Sequence, residues 1–281
     1  MPTENELIHI ASQVRRDIIR MVHGAASGHP GGSLGATEIM VALYFEIMKP
    51  SIAKFTMDGS GEDLFFLSNG HISPLWYSVL ARYGYFPVME LATFRKLGSR
   101  LQGHPSTQEG LPGIRMASGS LGQGLSVASG AALSKKLNHD PHFVWCLCGD
   151  GELQEGQNWE AMMFIAAKQI DNLIAIVDYN GQQIDGPIER VIDLGDLRAK
   201  IEAFGWTVLI ADGNVMRSVI SILNQAREAS GHGKPVAVLM HTHMGYGVDF
   251  MLDNHEWHGS PPNDDLTARA LAQLKETLGD Y

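Results

Sequence analysis

Two short polar segments, each placed just after an apolar run, have the composition of a metal and phosphate site. Gly149-Asp150-Gly151 follows one run, and Asp178-Tyr179-Asn180-Gly181-Gln182 follows the next. A carboxylate and an amide oxygen are ligands that octahedral magnesium accepts, and the glycines let the backbone approach a phosphate closely. Either segment alone is typical of a tight turn. Their combination after two successive predicted strands is more specific and favours a divalent cation on a diphosphate.

Four of the twelve histidines lie in glycine-rich contexts. They are His29, His71, His104 and His258. One such histidine alone is more often a turn residue with satisfied hydrogen bonds. Four in one domain predict a pocket of imidazoles, which can donate hydrogen bonds to anionic oxygens and move protons near neutral pH.

Alternating apolar runs and helical patterns predict the elements that must position these residues. Strands are predicted at about 64–67, 143–148, 173–177, 207–210 and 236–240. Helices are predicted at about 7–21, behind a capping box of Thr3 and Glu6, and at 37–48, 74–82, 88–97, 121–137, 158–169, 216–229 and 264–278. A glycine-rich turn is predicted at 27–35 and a long loop at 98–120.

This alternation is typical of an α/β fold with a mostly parallel sheet flanked by helices on both faces. The unbroken apolar run 173–177 indicates a strand buried on both faces. Ligands of such sheets bind beyond the carboxyl ends of the strands, where both polar segments are expected. No internal repeat or low-complexity linker divides residues 1–281, so a single domain is predicted.

The composition limits the classes of function. The chain has 281 residues, of which 44% are hydrophobic and 19% charged, and its formal net charge is −10. Nucleic-acid binding needs a basic face, so no nucleic-acid partner is expected. No apolar run approaches the roughly 20 residues of a membrane span, and the acidic segment from Met1 to Glu6 lacks a signal-peptide core. A cytoplasmic location without a membrane partner is expected.

The histidine and glycine segments, taken in their order along the chain, resemble the transketolase family. The matching segments are 27–31, 67–71, 102–105, 112–124, 149–156 and 256–259. The resemblance extends from about residue 10 to residue 260. It implies the thiamine diphosphate-binding fold, with thiamine diphosphate and magnesium as cofactors and calcium or manganese as possible substitutes for magnesium.

The same resemblance implies ligands for the cofactor. Asp150, Asn180 and the main-chain carbonyl of Gln182 are implied to hold the magnesium ion. Gly149 and Gly151 are implied to bind the cofactor beside them.

Further cofactor contacts are implied in the loops. Gly119 and Leu121 are implied to line thiamine diphosphate, with Leu121 supporting its bent conformation. His71 and His258 are implied to contact the diphosphate or its surroundings. Glu155 is implied to join a carboxylate network that couples paired active sites across subunits.

Catalytic roles are implied for three histidines. His29 and His258 would face the oxygens of a ketose donor, and His104 would contact substrate hydroxyls. The implied activity is that of a transferase, which moves a two-carbon ketol group from a ketose (phosphate) to an aldose (phosphate) in pentose phosphate metabolism. Ser120, Met244 and the pair Asn214-Val215 depart from the family pattern and bear on acceptor preference.

A partner chain is also implied. Full-length transketolases are more than twice as long, and their second domain supplies a glutamate to the aminopyrimidine ring of the cofactor. No segment here can be assigned to that domain, so the chain is expected to act only with a separate C-terminal subunit that carries the pyrimidine-binding domain. Two copies of each chain, a heterotetramer with two-fold symmetry, are the expected assembly.

Two other functions stay open at this point. One is a related thiamine diphosphate-dependent reaction, such as the decarboxylative condensation that makes deoxyxylulose phosphate. The other is a non-catalytic cofactor-binding subunit, which would not need all four histidines.

Overall fold

The computed structural model describes residues 2–48, 50, 52 and 55–281, so Met1 of the N-terminal segment lies outside it. The strands are β1 (Leu64–Leu67), β2 (Val144–Gly149), β3 (Leu173–Tyr179), β4 (Gln182–Gln183), β5 (Gly186–Pro187), β6 (Thr207–Asp212) and β7 (Val236–His241). Strands β4 and β5 form a small antiparallel hairpin. The other strands form one parallel sheet with the order β1-β2-β3-β7-β6.

Helices cover both faces of this sheet, as predicted. They are α1 (Glu4–Gly24), α2 (Pro30–Gly35), α3 (Thr37–Ala42), α4 (Ser73–Tyr83), α5 (Gly124–Leu137), α6 (Gly156–Ala167), α7 (Ile188–Val191), α8 (Leu197–Ala203), α9 (Met216–Ala229) and α10 (Asp264–Gln273). Helices α1 to α4, α9 and α10 contribute to one core, and α5 to α8 contribute to the other. Among the described residues, no helix has the length and apolar character that crossing a membrane requires.

The central strands are buried on both faces because successive side chains point to opposite sides of the sheet. On β2, Trp145 and Leu147 join the first core, whereas Cys146 and Cys148 join the second. The predicted double burial of 173–177 is confirmed in the same way on β3. The α1 capping box is also confirmed, because Thr3 and Glu6 each accept a hydrogen bond from the other's backbone N–H.

The prediction of a turn over 27–35 is wrong for Pro30–Gly35, because these residues form helix α2. His29 directly precedes this helix, and Pro30 takes the first helical position, where its missing N–H does no harm. The glycines serve close packing: a Cβ atom on Gly35 would lie 2.8 Å from the carbonyl oxygen of His243. The backbone N–H of Gly245 also donates to the carbonyl of Gly31 at 2.9 Å, which fixes the segment next to His29.

Three predicted helices have different bounds or geometry. Residues 88–93 form a 3-10 helix, not the start of an α-helix over 88–97. The helix predicted at 37–48 is α-helical to Ala42 and continues as a π-helix over Leu43–Met48. Helix α10 ends at Gln273 rather than 278, because the following residues fold back onto α1, where Arg16 Nε donates to Asp280 at 2.8 Å. Helices α7 and α8 were not predicted.

Candidate active site

The two polar segments meet at the carboxyl edge of the sheet. Strands β2 and β3 are hydrogen-bonded neighbours with Gly149 opposite Asp178, and the backbone N–H of Asp150 donates to the Asp178 carbonyl at 3.2 Å. Beside them lies a cavity of about 280 Å³. Its lining includes every predicted site residue except Glu155, namely His29, His71, His104, Gly119, Leu121, Gly149, Asp150, Gly151, Asn180, Gln182 and His258.

Backbone amides fix the polar oxygens of the predicted metal site. The Asp150 carboxylate accepts from the N–H of Gly151 at 2.7 Å and from the N–H of Gly181 at 2.6 Å. The Asn180 amide oxygen accepts from the N–H of Gln182 at 2.9 Å. Because an oxygen of this kind has two lone pairs, each can accept its hydrogen bond and still coordinate a cation.

Asp150 and Asp178 are buried acids, each 2% exposed. Among the described residues, no lysine or arginine is a main influence on either pKa. Burial, reinforced by the Asp178 carboxylate, raises the pKa of Asp150 to about 8. Burial also raises the pKa of Asp178 to about 6. Since a buried carboxylate without counter-charge is unfavourable, the donor set fits a divalent cation.

Within the described ranges, no three His, Cys, Asp or Glu side chains cluster as a metal site would. The predicted ligand set is of another kind, because it combines one carboxylate, one amide oxygen and one main-chain carbonyl. Magnesium in proteins commonly binds through one or two carboxylates and completes its octahedron with phosphate oxygens and water. The residues present therefore fit a magnesium diphosphate better than a bare metal ion.

The four glycine-flanked histidines come together on one side of the cavity. The ring centroid of His29 lies 5.2 Å from that of His71, 5.6 Å from that of His258 and 6.1 Å from that of His104. His71 and His258 are 4.9 Å apart. His71 sits on the 3-10 turn after β1, and His258 directly follows the 3-10 turn His255–Trp257.

All four imidazoles are held in the neutral form at pH 7. Burial, followed by repulsion from His258, lowers the pKa of His29 to about 4. Burial is also the main cause that lowers the pKa of His71, His104 and His258. A neutral imidazole offers one donor and one acceptor nitrogen. The Nδ1 atoms of His29 and His258 are buried without a partner, so both can serve a ligand.

The loop that precedes α5 supplies part of the cavity lining next to His104. Gly119 has φ of 136°, and a Cβ atom there would lie 2.9 Å from the His104 ring. Leu121 is half-buried and lines the cavity. Glu155, in contrast, is exposed at the start of α6 and lies outside the lining. Glu155 is therefore not part of the lining of this cavity.

A buried carboxylate that the sequence analysis missed, Glu152, joins three segments around the cavity. It accepts hydrogen bonds from the Ser68 hydroxyl after β1, from the N–H of Gly122 at 2.8 Å and from the N–H of Gly149 at 3.0 Å. Ser68 Oγ in turn accepts from the N–H of Gly124 at 3.0 Å. The one sequence signal for Glu152 is its position directly after Gly149-Asp150-Gly151.

Two departures from the family pattern lie near the histidines. Met244 is buried, lines the cavity and packs on Gly31, where a Cβ atom would lie 2.7 Å from its Cγ. Asn214 donates to the carbonyl of Gly35 at 2.8 Å and accepts from the N–H of His243 at 2.8 Å. Asn214 therefore ties α2 to the segment that carries Met244.

Comparison with known proteins agrees with this geometry. Residues 7–280 match the family model described as transketolase, thiamine diphosphate binding domain. The chain belongs to this family. The transketolase of Leishmania mexicana superposes on the whole chain with a TM-score of 0.89 at 28% identity, and that of Campylobacter jejuni superposes on 98% of it with a TM-score of 0.88 at 30% identity.

Relatives differ in how much of their length this chain matches. The chain spans 43% of each of those two solved transketolases. It covers 97% of the 6-deoxy-6-sulfo-D-fructose transketolase subunit SqwG of Clostridium sp. (strain MSTE9), at 37% identity over 271 residues. It also covers 97% of an apulose-4-phosphate transketolase subunit of Actinobacillus succinogenes, at 36% identity over 273 residues.

Proposed function

We propose that this chain is the thiamine diphosphate-binding subunit of a two-chain transketolase. Such an enzyme is a transferase that moves a two-carbon ketol group from a ketose to an aldose. The observation that carries the proposal is the cavity, where two strand-end loops with oxygen ligands face four neutral imidazoles. Because the chain belongs to the transketolase family, the oxygen ligands are proposed to serve thiamine diphosphate and the imidazoles to serve the substrate.

Asp150, Asn180 and the Gln182 carbonyl are proposed to hold magnesium, with Gly149 and Gly151 next to the diphosphate. The uncompensated burial of Asp150 supports this, since a divalent cation would stabilise its ionised form. When bound, thiamine diphosphate supplies a carbon nucleophile and an electron sink. Leu121 and Gly119 are proposed to line the cofactor, and Glu155 to contact another subunit from its exposed position.

The imidazoles are proposed to form hydrogen bonds with the oxygens of the substrate. His29 and His258 have unpartnered Nδ1 atoms and can hydrogen-bond to the carbonyl and hydroxyl oxygens of a ketose, while His71 contacts the diphosphate. His104, the most exposed of the four side chains though still partly buried, can contact further hydroxyls of the substrate. Because the rings are neutral at pH 7, each can donate one proton in a hydrogen bond and accept another.

The partner is proposed to be a separate subunit with the pyrimidine-binding domain, two copies of each chain forming the enzyme. End-to-end matches to two proteins named as transketolase subunits support this. The cavity volume, about 280 Å³, lies at the lower end of the range of small-molecule pockets, and a second surface is proposed to complete the site. Sugar phosphates are the proposed substrates, and the cytoplasmic location stays a prediction.

The decisive assay compares this chain alone with this chain plus a partner that carries the pyrimidine-binding domain. With thiamine diphosphate and magnesium, ketol transfer from a ketose phosphate is expected only for the pair, and EDTA should abolish it. Turnover by the lone chain would exclude dependence on a partner. Consumption of pyruvate as donor would indicate the deoxyxylulose phosphate type of reaction, and cofactor binding without any turnover would indicate a non-catalytic subunit.

A further inference from the structure

Arg95 carries a positive charge that no carboxylate neutralises. Arginines such as Arg16, Arg82 and Arg100 pair with acidic side chains, whereas no acidic partner of Arg95 occurs among the described residues, and only Tyr77 favours its charge. Its Nε atom is buried without a hydrogen-bond partner. A half-buried, unpaired guanidinium is unfavourable for folding, so its position calls for a functional reason.

The guanidinium bridges the two segments that carry His29 and His104. Its Nη1 donates to the hydroxyl of Ser27 at 3.1 Å, two residues before His29. Its Nη2 donates to the carbonyl of Gly103 at 3.4 Å, directly before His104. Arg95 therefore contacts the chain next to both histidines without lining the cavity itself.

The backbone around Arg95 is built to hold this bridge. Arg95 adopts φ of 57°, and its N–H donates to the carbonyl of Leu101 at 2.8 Å, which closes the loop between them. A Cβ atom on Gly103 would lie 2.6 Å from the Arg95 Cζ, so a larger residue there would displace the guanidinium. The Gly103 carbonyl also accepts from the Ser73 hydroxyl at 2.7 Å.

The charge of Arg95 acts on both rings. It lowers the pKa of His29, after burial and His258, and it lowers the pKa of His104, after burial. The other titratable neighbours of His29 are His258, His104 and, at 5.2 Å, His71. None of these brings a negative charge, so Arg95 opposes protonation of the two rings without a competing acid.

We propose that Arg95 is a positioning residue for the proposed ketol transfer. It holds the Ser27 and Gly103 segments at a fixed separation, and it presents an unneutralised charge next to the segments that carry His29 and His104. The catalytic part of this inference rests on the proposed function. The effect on the two rings does not, because it belongs to this chain alone.

The test is an NMR titration of the imidazole Hε1 signals in the isolated chain, labelled at histidine and assigned with His29→Gln and His104→Gln variants. Arg95→Gln keeps polar atoms but removes the charge, and Arg95→Lys keeps the charge. Arg100→Gln is the matched control, because Arg100 lies on the same loop but pairs with Glu90 at 2.8 Å. The pKa of both rings is expected to rise in Arg95→Gln and to stay near the wild-type value in Arg95→Lys and Arg100→Gln.

Unchanged titrations in Arg95→Gln, or an equal change in Arg100→Gln, would overturn the proposal. Should Arg95→Gln fail to fold, Ser27→Ala decides the question, since it frees the guanidinium on the His29 side only. The pKa of His29 is then expected to rise more than that of His104, and equal or absent changes would contradict the bridge.

Activity of the two-chain enzyme adds the catalytic readout. Arg95→Gln is expected to lower kcat by about 10- to 100-fold, the cost of small misplacement of reacting groups, and to move the acidic limb of the kcat/KM profile to higher pH. Normal kcat with this variant would remove the catalytic role. If the wild-type pair transfers no ketol group, the proposed function fails, whereas the titration still decides the effect of Arg95 on the rings.

Discussion

At the scale of single residues, the molecule separates two kinds of buried ionisable group. The acids at the strand ends, Asp150 and Asp178, have raised pKa values because burial disfavours their charged form. The histidines opposite have lowered pKa values for the same reason. A cation can relieve the first group, whereas the second stays neutral and available for hydrogen bonds.

His258→Ala, paired with its partner subunit, is expected to lower kcat by about 10²- to 10⁴-fold, the usual contribution of one general acid–base or hydrogen-bonding group. Its melting temperature should stay close to that of the wild type, because His258 is only partly buried and its Nδ1 has no partner in the chain. Exposed His232, which lies outside the cavity, supplies the control His232→Ala. Near-normal turnover in His258→Ala would remove this residue from the mechanism.

The lowered pKa of His29 predicts an acid limit on stability. Between its ordinary pKa of 6.5 and its folded value of about 4, the unfolded chain binds the proton and the folded chain does not. The free energy of unfolding therefore falls as pH drops through that window. Chemical denaturation of His29→Gln from pH 7 to pH 4 is expected to show a smaller loss than the wild type, and an identical loss would contradict the lowered pKa.

At the scale of elements, the loop tips depend on Glu152, a carboxylate inside the matched segment 149–156 for which the sequence predicts no role. Glu152 connects the end of β1, the 119–123 loop and the end of β2 through donors that would otherwise be buried without acceptors. The 119–123 loop, which carries Leu121, is thereby held against the end of β2 next to Asp150 before any ligand binds. Preorganisation of this kind lowers the entropic cost of binding.

Glu152→Ala is expected to destabilise the chain by about 2–4 kcal/mol, because it leaves several buried donors unsatisfied. Affinity for thiamine diphosphate with magnesium should fall at least about tenfold, since the loop is no longer fixed. Glu160→Ala, at an exposed position on α6, is the control for loss of one acidic side chain. Denaturant melts and calorimetric titration measure the two effects, and unchanged cofactor affinity would show that Glu152 supports the fold only.

The sequence predicts the strands well, and with them the position of Asp150 and Asn180 after β2 and β3, because long apolar runs such as 173–177 leave little choice of structure. It fails where tertiary contacts decide. Helix α2 forms from a glycine-rich segment because close packing against His243 overrides low helix propensity. The role of Glu152 depends on Ser68 and Gly122, which are distant in sequence, so no local pattern could reveal it.

At the scale of the whole molecule, the chain matches 43% of the length of a solved transketolase, and its cavity is proposed to be one half of a site that a partner subunit completes. The exposed position of Glu155, outside the cavity lining, suits a contact with another chain. Two-fold symmetry would place the same surfaces in both halves of the enzyme.

Native mass spectrometry of this chain mixed with its partner is expected to show two copies of each chain. The complex should form more tightly when thiamine diphosphate and magnesium are present, because the cofactor is proposed to lie at the interface and to bind both surfaces. A Glu155→Ala variant is expected to weaken the association of the two pairs of chains in this assembly. Gln157→Ala is the control, because Gln157 is a neighbouring exposed residue. A complex of one copy each, unaffected by cofactor, would contradict the assembly.

A crystal structure of the two-chain enzyme with thiamine diphosphate and magnesium would show directly whether the proposed ligands hold the ion. The ion is expected about 2.0–2.1 Å from an Asp150 carboxylate oxygen, the Asn180 amide oxygen and the Gln182 carbonyl, with the diphosphate between these loops and the histidines. An ion or diphosphate bound elsewhere, with Asp150 and Asn180 too far apart to share a ligand, would contradict it.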